Sequence, residues 1–252
     1  METKRLITRR RALIAGAASV GGFLLPRYWQ DLPPTYGNIL RMGDTLTYAA
    51  HRTLLPGQSL VREYSHRDIT SFPATGTTNP GDLNRSSLSE AYRRLQSGAF
   101  SDWRLSVEGR VHSPQSFTLA DLKRLPARTQ ITRHTCEEGW SAIGEWTGVP
   151  LSLVLNAAGI LPTARFVMFY SYDDWADSID LLDALHPQTI LAYGMNGQDL
   201  PLPHGAPIRL RVERQMGYKS MKYLHRIVVK DEFDDGGKKG NIQNGWAWYT
   251  GI

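Results

Sequence analysis

Between Trp103 and Val229 the chain is cut into short patterned runs separated by turn residues, and that brevity most constrains its fold. Trp103–Val111 alternates, with Trp103, Leu105 and Val107 on one face, as a half-buried strand does. Phe166–Tyr172 is a continuous apolar run typical of a buried strand. Ile190–Met195 ends in Asn196-Gly197, a strong hairpin turn, and Gln130–Cys136, Ile208–Val212 and Tyr223–Val229 read as further strands. Helical spacing is confined to Leu88–Leu95 behind Ser86 and Ser87, Thr118–Leu125, Leu151–Ala158 before Gly159, and a turn at Asp180–Ala184. In the second of these Thr118 caps and Asp121 is the capping-box acid. Many short strands with a few short helices predict an α+β fold with mixed sheets and flanking helices, not a repeated βαβ unit.

The flanks behave differently. Gln30–Gly81 is rich in Pro, Gly, Tyr and Thr without sustained periodicity, so residues 27–100 are expected to form an extended segment wrapping a core at 101–252, with Ser59–Tyr64 a short strand. Residues 27–252 then make one structural domain. The tail Lys238–Ile252, with Trp246, Trp248 and Tyr249, is too aromatic to be free and is expected to pack back.

The net charge of +5 has a local origin. Lys4, Arg5, Arg9, Arg10 and Arg11 stand against Glu2 alone, which leaves the body near +1, too little to support nucleic-acid binding. Thr8-Arg9-Arg10-Arg11-Ala12-Leu13 resembles the twin-arginine export motif, and Ala12–Leu25 is uncharged. The run is short for a membrane span of about 20 residues, so residues 1–26 read as an export signal to the periplasm, retained as an anchor if it is not cleaved.

One cysteine cannot form an internal disulfide, and a lone thiol in an oxidising compartment needs shelter or a role. Cys136 lies in Arg133-His134-Thr135-Cys136-Glu137-Glu138-Gly139-Trp140. Thiolate sulfur near positive charge is a good metal ligand. His134 and Cys136 are half of a zinc site, but no second cysteine or paired histidine completes it. Spacing alone leaves Cys136 open between core residue and ligand, and makes His134 a satisfied polar residue more readily than a ligand. A second constellation, Leu202-Pro203-His204-Gly205-Ala206-Pro207-Ile208-Arg209 and Gly217-Tyr218-Lys219-Ser220-Met221-Lys222, offers two basic, glycine-containing loops that suit a phosphorylated ligand or serve only as solvated turns. No nucleophile elbow, Walker loop, dinucleotide fingerprint or zincin motif is present, and no Cys-x-x-Cys-His run, so no c-type haem is expected in this chain.

Taken together, the cysteine loop followed by Trp146-Thr147-Gly148-Val149-Pro150-Leu151, the Asn196–Arg209 segment and the Gly217–Lys222 run resemble the sulfite-oxidase superfamily. The likeness covers Ser101 to Ile252 and is nearest to the bacterial branch that contains the periplasmic methionine-sulfoxide reductase catalytic subunit. It implies a molybdopterin cofactor with one molybdenum per chain, ligated by Cys136. It implies that His204 and Arg209 hold the pterin phosphate region, that Gly217, Tyr218 and Lys219 contact the cofactor, and that Ser171 supplies a hydroxyl to it. Asn79, in Thr75-Gly76-Thr77-Thr78-Asn79, takes the place of an Asn-rich cofactor segment. Arg133 matches arginines around the anion pocket of sulfite-oxidising members, whereas Glu137 and Glu138 disfavour a strongly anionic substrate.

The chemistry so implied is two-electron oxygen-atom or electron transfer at molybdenum, on a small-molecule substrate. His134 tunes the sulfur, and Tyr172, Asp173, Asp174 and Trp175 line the substrate mouth. Electrons come from a membrane haem-b cytochrome. Two rival readings are a sulfite-type oxidase that passes electrons to cytochrome c, and an inactive, cofactor-free binding domain.

Overall fold

The computed structural model describes residues 42–252 apart from 56 and 58, so the twin-arginine segment lies outside the described residues. The chain divides into a unit ending at Pro56 and a larger unit, Gly57–Ile252. In the first, α1 (Met42–Leu54) replaces part of the expected extended segment with a helix of 13 residues. Asp44 in its first turn and His51 and Arg52 in its last complement the helix dipole.

The larger unit is built on two five-stranded sheets. One contains β1 (Arg104–Gly109), β2 (Gln115–Thr118), β5 (Phe166–Ser171), β6 (Ala176–Asp180) and β10 (Leu224–Lys230), in the order β2-β1-β10-β5-β6. Its β1–β10 pair is parallel and the others are antiparallel. The other sheet runs β3 (Arg128–Thr135), β4 (Ser141–Pro150), β7 (Ile190–Met195), β8 (Gln198–Asp199), with β9 (Arg209–Arg211) also on β7. The helices α2 (Ser87–Ser97), α3 (Leu119–Arg124), α4 (Leu151–Ala158) and α5 (Leu181–Ala184) are short, and one mixed sheet and one antiparallel sheet with short helices make the α+β architecture expected.

Alternation along β7 explains how the second sheet is buried on both sides. Leu191 joins the main core with Val154, Leu155, Phe169 and Ile227, while Ile190 and Ala192 face a smaller cluster around Trp146. On that smaller side the chain from residue 59 onward is laid across the sheet. Tyr64 N donates to Ile131 O at 2.8 Å and Thr70 N to Ile143 O at 3.0 Å, and Phe72 packs on the Trp146 cluster. The strand expected at Ser59–Tyr64 is reduced to one bridge, Glu63 to Thr132. Gln188 holds this segment instead, accepting from Val61 N at 2.8 Å and donating to Val61 O at 3.1 Å.

The tail packs back, with Trp248 and Tyr249 buried and Met216 N donating to Thr250 O at 3.0 Å. No helix among the described residues is long and apolar enough to cross a membrane.

Candidate active site

Cys136 lies in the loop that joins β3 to β4, whose register closes at Thr135 opposite Ser141. The loop is tight: Cys136 N donates to Trp140 O at 2.9 Å, Gly139 N to Cys136 O at 3.2 Å, and Gly139 takes a positive φ of 90°. The thiol is free, 4% exposed, and opens on a cavity of about 580 Å³. Burial, with Glu137 and Glu138 beside it, pushes the thiol up to about 11.

The cavity's other walls come from distant segments. Phe72 and Thr75–Thr78 arrive on the extended segment, Ser171, Asp173 and Trp175 at the end of β5, and His204 and Arg209 around β9. The Gly217–Lys222 run apart from Lys219, with Leu83, Arg85 and the tail residues Asn241 and Trp246, lines it as well. Two glycines are required by close approach. A Cβ on Gly217 would lie 2.3 Å from His134 Nε2, and Gly205, at φ 111°, would drive one to 2.8 Å from Lys222 Cβ.

Charge is distributed unevenly around this space. Arg209 donates to His204 O at 3.1 Å and Ser220 O at 2.8 Å, and its Nε is buried without a hydrogen-bond partner. Lys222 Nζ donates to the carbonyls of Thr75 (2.6 Å), Pro203 (2.9 Å) and Thr77 (3.2 Å). Neither cation has a salt bridge among the described residues. Burial pulls Arg209 down to about 9, aided by Arg211, and Lys222 down to about 8, aided by Arg209. His204 falls to about 4 for the same reasons, burial first and then Arg209. Asp173 accepts from the Ser171 hydroxyl, and burial lifts its carboxyl to about 6.

Of the residues singled out in the sequence, Cys136, Ser171, Asp173, His204, Arg209, Gly217 and Tyr218 line this one cavity. Four others do not. Arg133 alternates with His134 on β3, is exposed, and places its guanidinium over the Tyr64 ring at 5.5 Å. Asp174, at φ 71°, turns away from its neighbour Asp173 to pair with Lys239. Lys219 is consumed by a buried ion pair with Asp177 at 2.8 Å. Asn79 caps the turn Pro80–Asp82, accepting from Gly81 N at 3.0 Å. Two neighbours of these residues reach the cavity instead: Lys222, three positions after Lys219, and the Thr75–Thr78 stretch before Asn79. The signal for Lys222 was its place in the same glycine-bearing basic run.

These walls fit an anionic ligand that carries a metal at one end. Cations without carboxylate partners and an orphaned buried guanidinium N–H ask for an acceptor, and one thiol lines the same cavity. Among the described residues no group of three or more His, Cys, Asp or Glu is placed to hold a metal ion.

Comparison with known proteins agrees with that chemistry. Residues 94–237 match the family profile of the oxidoreductase molybdopterin binding domain. A protein described as protein-methionine-sulfoxide reductase subunit YedZ1, from Azospira oryzae, is 37% identical over 180 residues, 71% of this chain and 66% of its own length. The protein-methionine-sulfoxide reductase catalytic subunit MsrP of Ralstonia nicotianae is 33% identical over 52% of this chain and 44% of its own length. MsrP of Burkholderia mallei is 27% identical over 97% of this chain and 76% of its own. The chain thus spans less than two thirds of the first two relatives. Among solved structures, the sulfane dehydrogenase SoxCD from Paracoccus pantotrophus superposes with a TM-score of 0.50 at 27% identity, over 52% of this chain and 39% of that one. Because the profile takes in the Cys136 loop, the Arg209 segment and the Gly217–Lys222 run within more than half of the 252 residues, the chain belongs to the oxidoreductase molybdopterin-binding family.

Proposed function

We propose that this chain is an exported, periplasmic molybdenum oxidoreductase that reduces a sulfoxide to a thioether, holding one molybdenum through Cys136. The observation that carries this reading is a buried thiol that lines one cavity together with two cations without carboxylate partners. The relatives named as methionine-sulfoxide reductase subunits support the substrate class, and electrons are expected from a membrane haem-b cytochrome. Overall, a sulfoxide, two electrons and two protons give a thioether and water.

When bound, the cofactor supplies the two-electron oxygen-atom transfer. The chain supplies everything around it. Cys136 would hold the metal as thiolate, without the proton that burial keeps on the free thiol up to about 11. Arg209 and Lys222 would hold the anionic end of the pterin, with His204 beside them, and an anion there would restore the charge that burial disfavours. Ser171, whose hydroxyl hydrogen goes to Asp173, would present its oxygen to the cofactor as an acceptor. Phe72, Trp140, Trp175 and Trp246 exclude water and present aromatic faces to the apolar substituents of a thioether, which sulfur packs against favourably. Glu137 and Glu138, with Arg133 turned away, disfavour an anion such as sulfite.

The test is direct. Chain purified from a molybdenum-replete host is expected to carry about one molybdenum, matching a site with one thiolate, and to oxidise reduced methyl viologen with sulfoxides faster than it passes electrons from sulfite to ferricyanide. Cys136→Ser is expected to lose the metal and to cut turnover by more than the 10–100-fold that outer partners of a metal site cost. A folded chain that takes up no molybdenum in such a host contradicts the reading.

A further inference from the structure

Behind the cavity wall lies a buried ion pair for which the proposed chemistry has no use. Arg211 and Glu213, 1% and 3% exposed, meet at the end of β9 through two parallel contacts, Nε to Oε1 at 2.9 Å and Nη2 to Oε2 at 2.7 Å. Glu213 Oε1 also accepts from Gln130 Nε2 at 3.0 Å, and the same amide donates to Gln188 O. Apolar side chains of similar volume often fill such a place at no loss of stability, so stability alone does not account for a buried pair. The geometry supplies a use for it. With Nε and Nη2 committed to Glu213, the remaining nitrogen, Nη1, lies 2.8 Å from Nδ1 of His134.

A guanidinium has N–H donors and no acceptor, so Nδ1 of His134 is the acceptor in this contact. A neutral imidazole whose Nδ1 accepts carries its proton on Nε2. That nitrogen has no hydrogen-bond partner among the described residues; it lies against Gly217, which carries no side chain, and both residues line the cavity. The ring is packed by Phe72 and Trp140, with centroids at 5.1 Å and 5.5 Å, so it is held in place as well as in one tautomer.

We propose that Arg211 is a positioning residue that fixes His134 as a neutral Nε2–H donor, aimed at a sulfur or oxygen acceptor of the cofactor bound at Cys136. The tautomer stands on the hydrogen bonds alone; the identity of the acceptor rests on the cofactor reading above. A bound group that offered a cation or a donor at this wall would not match it.

The tautomer is read in the full chain labelled with ¹⁵N-histidine, by two-bond ¹⁵N–¹H correlation at pH 7, with His134 assigned by its loss in His134→Gln. Nδ1 is expected unprotonated and Nε2 protonated, with and without molybdenum. Arg211→Lys, still donor-only, is expected to keep that pattern. The paired variant Arg211→Gln with Glu213→Gln leaves no buried charge uncompensated, and its amide oxygen admits the Nδ1–H form. The acceptor is tested by molybdenum retention on dialysis. His134→Gln places an amide N–H where Nε2–H stood and is expected to retain the cofactor, whereas His134→Asn, which mimics Nδ1, is expected to hold it about 10–100-fold less tightly. An Nδ1–H ring or an imidazolium in the unmodified chain overturns the proposal even if molybdenum is bound. Equal loss in the Gln and Asn variants overturns the donor role. A chain with the Nε2–H ring that never takes up molybdenum supports the tautomer and overturns the cofactor reading instead.

Discussion

Lys219 and Lys222 sit three residues apart in one basic run, and the fold gives them opposite employment. Lys219 is buried and spent: its ammonium meets Asp177 at 2.8 Å and Ser178 O at 3.0 Å, and Asp177 also accepts from Asn241 at 2.7 Å. Lys222 is half-buried at the cavity, bonded to three carbonyls and to no carboxylate at ion-pair distance. The same side chain is thus a structural tie in one place and an open positive charge in the other. What sorts them is whether the chain offers a carboxylate. A cation already neutralised by the protein has little left to give an anionic ligand, while one held by neutral dipoles retains its charge for the ligand.

Removing each ammonium is the strongest way to break this comparison. Lys219→Met leaves Asp177 buried without its counter-charge and is expected to cost about 3–5 kcal/mol, seen as a lowered denaturation midpoint. Lys222→Met takes a donor from three carbonyls, at Thr75, Thr77 and Pro203, on segments that water reaches, and with water as the replacement donor it is expected to cost about 1 kcal/mol. Its larger effect falls on anion binding, measured by titration with inorganic phosphate, which is expected to weaken about tenfold, the equivalent of 1.4 kcal/mol. A Lys222→Met chain that unfolds more readily than Lys219→Met would reverse the assignment.

The pH dependence sharpens it further. Lys222 titrates at about 8, below the ordinary 10.5, because burial and Arg209 oppose its charge. Between those values the unfolded chain binds the extra proton, so stability of the cofactor-free chain rises with pH there. Phosphate affinity moves the other way and falls as pH passes about 8 and the ammonium discharges. Arg209, held near 9, adds a second rise in stability higher up. Denaturant unfolding and phosphate titration at several pH values from 7 to 9 are expected to show the two opposed trends, and Lys222→Met should flatten both below the Arg209 range.

Little of this sorting is visible in sequence, although much of the fold is. Elements specified by their own residues are legible: Thr118 and Asp121 form the capping box of α3 as their spacing predicts, α4 runs Leu151–Ala158 to its stop at Gly159, and Asn196-Gly197 turns β7 into β8 with both residues at positive φ. The missed strands are those whose residues answer to distant partners. Every residue of β6 (Ala-Asp-Ser-Ile-Asp) is buried, and it reads as polar loop until Lys219 and Asn241 are seen to satisfy Asp177. Strand β4 is buried on both faces along much of its length and shows no clean alternation. The site divides in the same way. Types and order of residues point to the Cys136 loop and the basic runs, but which of Asp173 or Asp174, Lys219 or Lys222, Asn79 or its preceding threonines turns inward is fixed by local backbone sign and by partners far along the chain.

The tail carries a milder version of the same contrast. Trp248 is 2% exposed, packed edge-on against Phe166 and Phe233, whereas Trp246 is 37% exposed and stacked on Tyr218 at 5.4 Å between centroids on the cavity rim. Tyr218 is itself tied down, its hydroxyl donating to Ala247 O at 2.7 Å, so removing the Trp246 ring leaves its platform in place. An aromatic pair adds about 0.5–1.5 kcal/mol beyond its buried area, and at the surface the lower end applies. Trp246→Ala is therefore expected to destabilise by about 0.5 kcal/mol, the smallest effect here. Its consequence for turnover is more specific. A rim ring that packs the apolar substituent of a sulfoxide contacts it equally before and during reaction, so its loss raises KM and leaves kcat unchanged. Steady-state kinetics on a bulky and on a small dialkyl sulfoxide separate the alternatives: a rise in KM confined to the bulky substrate supports a docking role for Trp246, and a fall in kcat for both places the ring in the chemistry itself.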